Sequence, residues 1–280
     1  MSFTPDFQSA LVLADDMREE ATRAGVRRAD FFPYLLHHDD LTDRAVLLVH
    51  GFTATPYETR ELGELLHQKG HNVCGVRLSG HSTTVEDLET QTHHDWYRSV
   101  LKGYGVVSNL SSRVFVIGIS TGGTLLLRLA AETPVAGIVS LASAIFLVNP
   151  LARHASILKT IRRYSVTPLL EGEEGYYYDK RPLAAVAELI KLMRLVRLKK
   201  IQNITAPIMV VQSRTDPTVA PQSAEFIYQN VRSREKNLVW LDDSPHVVIS
   251  DHNPKKRLVF EKIFQFIDTP GKNGETENRL

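Results

Sequence analysis

Three distant stretches of this chain hold residues that together could move an acyl group. The first is Gly118-Ile-Ser120-Thr-Gly122, a serine between two glycines. The second is Ser213-Arg-Thr-Asp216-Pro, and the third Asp243-Ser-Pro-His246-Val-Val. A serine hydroxyl is a poor nucleophile at neutral pH. It needs a base within hydrogen-bond reach, and an imidazole base needs a carboxylate to fix its tautomer. Ser120, His246 and Asp216 supply those groups in that division of labour. The expected chemistry is attack on a carbonyl carbon, formation of an acyl-enzyme and its release by water. Singly, an Asp before Pro is a turn residue and a loop histidine is ordinary; the conjunction of all three is what points to catalysis. Asp242 and Asp243, on the same loop as the base, are rival acids, and Asp251 is another.

Secondary structure has to bring these stretches to one place. Arg113-Val-Phe-Val-Ile-Gly-Ile119 reads as a buried strand, and Leu125 to Ala131 as the continuation of a helix that begins just after Ser120. To lift the serine oxygen above the sheet the backbone must turn sharply and accept strained φ/ψ. A Cβ at Gly118 or Gly122 would then strike a neighbouring element, and Gly123 permits still closer helix packing. The helix N-terminus directs partial positive charge at the place where an oxyanion would form. Asp216 follows the apolar run Ile208-Met-Val-Val-Gln212, and His246 follows Leu238-Val-Trp-Leu241. All three groups therefore stand past the carboxyl ends of strands, the edge where open α/β sheets bind ligands. Two backbone N–H groups are needed for the oxyanion. Thr121 offers one, and the loop His50-Gly51-Phe52-Thr53 offers the other after the strand Ala45-Val-Leu-Leu-Val49. Phe52 N–H is the expected second donor, with its ring walling the acyl pocket. Gly51, Phe52 and His81 are expected to line the substrate.

Strand and helix alternate through most of the chain, which predicts a mostly parallel central sheet flanked by helices. Phe7 to Ala24 reads as an N-terminal helix and Phe32 to His37 as a strand. Tyr57 to Lys69 reads as a helix started by Thr55-Pro56, Asn72 to Leu78 as a strand and Asp95 to Leu110 as a helix. Beyond the elbow, Val135 to Leu141 is a strand, Gln222 to Asn230 a helix, and Lys255 to Ile267 the closing helix. The rhythm breaks over residues 146–202, where only helical patches are visible, so a small helical cap insertion is expected there. The core is then 1–145 with 203–268. The polar tail 269–280 reads as disordered. Within the cap lie the acidic, aromatic run Glu171-Gly-Glu-Glu-Gly-Tyr-Tyr-Tyr178 and a helical run from Leu183 to Leu198 studded with Lys191, Arg194 and Arg197. That basic run reads as a solvated face, with adhesion to a lipid surface or a partner as the alternative.

The 280 residues carry a net charge of +1, which gives no argument for nucleic acid. The single cysteine, Cys74, sits in an apolar run and reads as a buried thiol. The start lacks the pattern of a secretion signal and no run reaches transmembrane length, so a cytoplasmic location is expected. His37-His38 and His93-His94 do not complete a ligand set, because adjacent side chains point apart, and no metal is expected. Oligomeric state is not legible.

His50-Gly-Phe-Thr-Ala-Thr-Pro56, Arg77-Leu-Ser-Gly-His81, Asp95-Trp-Tyr97, Gly118-Ile-Ser-Thr-Gly-Gly123, Asp216 and Ser244-Pro-His246 are similar to the motifs of the small bacterial carboxylesterases and monoacylglycerol lipases of the α/β-hydrolase superfamily. The resemblance runs from Arg44 to Ile267 and is weakest through the cap. It implies an α/β-hydrolase fold and a serine hydrolase that cleaves carboxylic esters without a cofactor. Ser120, Asp216 and His246 would be its triad, and Phe52 and Thr121 its oxyanion donors. The alternatives are a monoacylglycerol lipase or thioesterase, and a non-catalytic binding protein on the same fold. Two features depart from the family: Thr121 stands where Met or Leu is usual, and the N-terminal helix is longer than in compact members.

Overall fold

The computed structural model describes residues 4–39, 42–166, 169, 171–269 and 276–279. Along the first part of the chain run α1 (Phe7–Arg23), β1 (Tyr34–Leu36), β2 (Ala45–Val49), α2 (Arg60–Gln68), β3 (Asn72–Val76), α3 (Val85–Thr90) and α4 (His93–Leu110). There follow β4 (Val114–Ile119), α5 (Thr121–Glu132), β5 (Gly137–Leu141), α6 (Ala155–Leu158), β6 (Tyr164–Val166), β7 (Lys180–Pro182) and α7 (Leu183–Leu195). The last elements are β8 (Ile208–Ser213), α8 (Gln222–Asn230), β9 (Lys236–Leu241), α9 (Lys256–Asp268) and β10 (Thr276–Arg279). Contacts divide the chain into two compact units, Met1–Ser112 with Pro150–Leu192, and Arg113–Asn149 with Met193–Leu280.

In the first unit β2 and β3 pair in parallel, with Val46 opposite Val73, and β1 joins β3 antiparallel, with Leu35 opposite Cys74. Every residue of β2 and β3 is buried, as the apolar runs Ala45–Val49 and Val73–Val76 require of strands covered on both faces; Asn72 at the head of β3 accepts the His38 N–H on Oδ1 at 2.9 Å. Helix α1 buries Ala10, Met17 and Ala21 and packs on α4. Helix α4 starts at His93, two residues before the expected Asp95. Thr92 and Asp95 form a reciprocal capping box there, with Thr92 N–H donating to Asp95 Oδ2 at 2.9 Å. Thr55 makes no side-chain cap bond, and Pro56 opens a short 3-10 turn, Pro56–Thr59, ahead of α2.

The insertion is not purely helical, contrary to expectation. Strands β6 and β7 pair antiparallel, Tyr164 opposite Pro182, and lead into α7. Three-residue strands are too short to show an alternating pattern, so periodicity alone could not find them.

The second unit contains β4, β5, β8 and β9, all parallel, with Gly118 opposite Ser140, Val139 opposite Met209, and Val210 opposite Leu238. Its core is aromatic at two points. Phe115 meets the edge of Phe266 at a centroid distance of 6.5 Å, and Trp240, 1% exposed, lies under the Arg214 guanidinium at 4.3 Å. Each such ring stabilises the fold by about 2–3 kcal/mol through burial. Of the tail read as disordered, residues 270–275 and 280 lie outside the described residues, whereas Thr276–Arg279 pair in parallel with β9. The sheet is mostly parallel and flanked by helices, as the alternation predicted. No described helix is long and apolar enough to cross a membrane.

Candidate active site

Ser120 sits at the junction of β4 and α5 with φ 52° and ψ −114°, outside the ordinary L-residue wells. Such a conformation costs about 1–3 kcal/mol and persists only where the surroundings enforce it. Here they do. Ser120 N–H donates to the Leu141 carbonyl at 2.8 Å, and its carbonyl accepts the Thr124 N–H at 3.1 Å and the Ala144 N–H at 3.3 Å. Of the glycines around Ser120, Gly118 and Gly123 have the expected reason. A Cβ on Gly118 would lie 2.6 Å from the Gly122 carbonyl carbon, and one on Gly123 would lie 1.9 Å from Ser143 Oγ. Thr121 is the first residue of α5, so its N–H is one of the donors that a helix N-terminus leaves without an intrahelical partner.

Strands β5, β8 and β9 run parallel to β4, so the loops after them emerge at the same edge as Ser120. The loop after β8 carries Asp216 and the loop after β9 carries His246. Asp216 Oδ2 accepts His246 Nδ1–H at 2.8 Å and Gln212 Nε2–H at 2.8 Å. Oδ1 accepts the Thr218 N–H at 2.8 Å and the Val219 N–H at 2.9 Å. Burial by itself would raise the pKa of Asp216, but the His246 bond and the two backbone donors outweigh it and hold the carboxyl below 3.8. With Nδ1 donating to Asp216, His246 Nε2 remains as an acceptor. The Ser213 hydroxyl donates to the Ser244 carbonyl at 2.6 Å and so ties the acid loop to the base loop. The rival acids are engaged elsewhere: Asp242 with Arg214 at 3.5 Å, and Asp251 with Lys256 at 2.5 Å. Asp243 occupies a turn at φ 56°. No hydrogen bond joins the Ser120 hydroxyl to His246 among the described residues. Catalytic bonds in unliganded sites are often long and tighten around the substrate.

Gln212 and Ser213 escaped the sequence reading. The signal was present, because two polar residues end a strand whose other members are apolar and all of whose residues are buried.

In the first unit the loop after β2 is held from several sides. His50 Nδ1 donates to the Gly51 carbonyl at 2.8 Å, while its Nε2 accepts the Leu78 N–H at 3.2 Å. Burial pushes His50 down to about 4, so the ring stays neutral and its tautomer fixed. Gly51 N–H donates to Glu58 Oε2 at 2.6 Å. Phe52 N–H, by contrast, has no partner among the described residues. The Phe52 ring meets Trp96 edge-on at 5.7 Å and packs against Ala155, Val186 and Ala187. His81, expected to line the substrate, is 0% exposed, and its Nδ1 donates to the Ser79 carbonyl at 3.0 Å. In this conformation it orders its own loop.

The two histidine pairs make different contacts. His38 stacks on His67 at 4.1 Å, and His93 bonds Glu188 Oε2 through Nδ1 at 2.8 Å. The rings of His93 and His94 lie 4.1 Å apart, closer than neighbours that point away from each other would be. Among the described residues no group of three or more His, Cys, Asp or Glu is placed to hold a metal.

Residues 46–259 match the alpha/beta hydrolase family. The chain is 36% identical over 226 residues to a thermostable monoacylglycerol lipase of Bacillus sp. (strain H-257), covering 79% of this chain and 89% of that one. It is 29% identical over 231 residues to a carboxylesterase of Bacillus subtilis (strain 168), covering 81% and 93%. Among solved structures it resembles a metagenome-derived lipolytic enzyme at a TM-score of 0.79 and 27% identity, covering 86% of this chain and 98% of that one. A soluble variant of monoglyceride lipase from Saccharomyces cerevisiae superposes with a TM-score of 0.72 at 16% identity, covering 85% and 91%, a likeness of fold alone.

Proposed function

The chain belongs to the alpha/beta hydrolase family, and from that premise we propose that it is a carboxylesterase working through Ser120, His246 and Asp216. Ester hydrolysis is the activity class its relatives share by name, a carboxylesterase and a monoacylglycerol lipase. The observation that carries the mechanism is the 2.8 Å bond from His246 Nδ1 to the buried Asp216 carboxylate, at the same sheet edge as the strained serine. His246 Nε2 takes the proton from Ser120 as its oxygen attacks the ester carbonyl. The imidazolium that forms is stabilised by Asp216, which stays ionised. Thr121 N–H and Phe52 N–H bind the developing oxyanion. The alcohol leaves with the proton returned by His246, and water, activated by the same imidazole, resolves the acyl-enzyme.

Among esters, an acylglycerol is the substrate that the monoacylglycerol lipase relative suggests, and residues 146–202 leave Leu151, Ile157, Ile161 and Val166 exposed, Ile161 most of all at 82%. Ser120→Ala separates this function from a binding role on the same fold. It should abolish labelling by a fluorophosphonate and lower ester turnover by at least about a thousandfold; near-native hydrolysis in that variant would refute the proposal. A chain-length series of nitrophenyl esters, set against monoacylglycerol and acyl-CoA, then ranks esterase, lipase and thioesterase activity.

A further inference from the structure

The acidic, aromatic run that precedes β7 has no place in the catalytic scheme, yet it is laid directly on the loop that carries Phe52. Tyr178 N–H donates to the Thr53 carbonyl at 3.1 Å. Its hydroxyl donates to the Gly80 carbonyl at 3.1 Å and accepts the Thr83 N–H at 2.8 Å. Tyr176 stacks on Tyr57 at 4.3 Å, beneath the Arg28 guanidinium at 4.4 Å. Between them the Tyr177 hydroxyl donates to Glu58 Oε1 at 2.9 Å, and the other oxygen of that carboxylate accepts the Gly51 N–H at 2.6 Å.

From this chain of contacts we infer that Glu58, braced by Tyr177, is a positioning residue for the oxyanion loop, holding the peptide next to the Phe52 donor in its working orientation. The inference rests on Phe52 N–H acting as an oxyanion donor. The geometry is specific. The peptide nitrogen of Gly51 is fixed by Glu58 and its carbonyl by His50, so the following N–H, that of Phe52, has one direction left to point. A carboxylate acceptor makes the Gly51 contact a charge-assisted bond, stiffer than a neutral one. Tyr177 stays protonated as its donor, since burial and then the Glu58 charge raise its hydroxyl well above 10. A donor set in advance costs no reorganisation when the oxyanion forms, and its loss should therefore appear in kcat rather than in KM.

Three variants test this on a short nitrophenyl ester, with thermal melting to confirm folding. Glu58→Ala should lower kcat by about tenfold to a hundredfold, short of the full loss expected for a missing donor, with KM within about threefold. Affinity for a trifluoromethyl ketone, which forms an oxyanion adduct, should fall by the same factor as kcat/KM. Glu58→Gln keeps an acceptor for Gly51 and should recover kcat to within about threefold, and Tyr177→Phe should cost about threefold to tenfold. A folded Glu58→Ala or Tyr177→Phe protein with wild-type kcat, or one whose loss lies wholly in KM, overturns the inference. Should Glu58→Ala not fold, Tyr177→Phe decides by the same criterion. The esterase proposal is tested separately: an inactive Ser120→Ala beside a fully active Glu58→Ala removes the role of Glu58 and leaves the triad standing.

Discussion

Asp216 is the best-anchored carboxylate of the candidate site, with four donors on two oxygens, and Gln212 shares with His246 the oxygen that orients the base. Replacing Gln212 with Leu keeps the volume near its present value and removes one donor. The carboxylate then gains freedom to swing, so kcat should fall about threefold to thirtyfold while KM holds, as steady-state kinetics would record. His50 carries a different consequence, one of stability. Its folded pKa of about 4 lies below the ordinary 6.5, so between those values the unfolded chain binds a proton that the folded chain refuses. Stability contributed by neutral His50 is complete above pH 6.5 and is lost as pH falls toward 4, at up to about 1.4 kcal/mol per pH unit. His81, also driven well below 6.5 by burial, acts in the same direction. Denaturant melts across that window should show the slope. His50→Asn, which keeps a donor for the Gly51 carbonyl, should flatten it by roughly half, and an unchanged slope would clear His50 of the effect.

At the scale of elements, the strand, turn and helix around Ser120 form one rigid unit because small residues occupy its contacts. Gly118→Ala places a methyl 2.6 Å from the backbone of Gly122, where no flexible side chain can yield. The helix must move away from the strand, at a cost of about 1–3 kcal/mol in stability. Ser120 would shift with it, so turnover should drop by at least about a hundredfold, a displacement near 1 Å being enough for that. Calorimetry and ester hydrolysis on the same preparation would show both losses, and a variant that loses stability but not turnover would separate the elbow from the chemistry. The insertion works by a similar economy. Strand β7, paired with β6, follows the Tyr176–Tyr178 segment, and Tyr178 bonds the loop after β2, so a stretch read as a helical cap also serves as scaffold.

At the scale of the molecule, the N-terminal helix lies outside the matched residues 46–259 but not outside the packed structure. It buries Met17, packs on α4 and reaches that helix again through the Lys102–Glu20 ion pair. Met17→Ala should cost about 2–3 kcal/mol by leaving a cavity, with ester turnover of the folded protein unchanged. Chemical denaturation beside an activity assay would check both halves. The parts of this protein legible in its sequence are those fixed by local rules. Unbroken apolar runs declare buried strands, Gly118 declares a close approach no Cβ could follow, and the apolar runs before Asp216 and His246 declare that both lie in loops past strand ends. Other parts depend on neighbours far along the chain, and no local pattern announces them. Asp216 rather than Asp242 or Asp251 faces His246 because strand pairing sets which loops meet, and those two bond cations instead. Gln212 at the acid, Glu58 at the Gly51 amide and the burial of His81 likewise follow from packing. A hydrogen bond across 119 positions, such as Tyr177 to Glu58, exists only once tertiary structure has closed the loop between them.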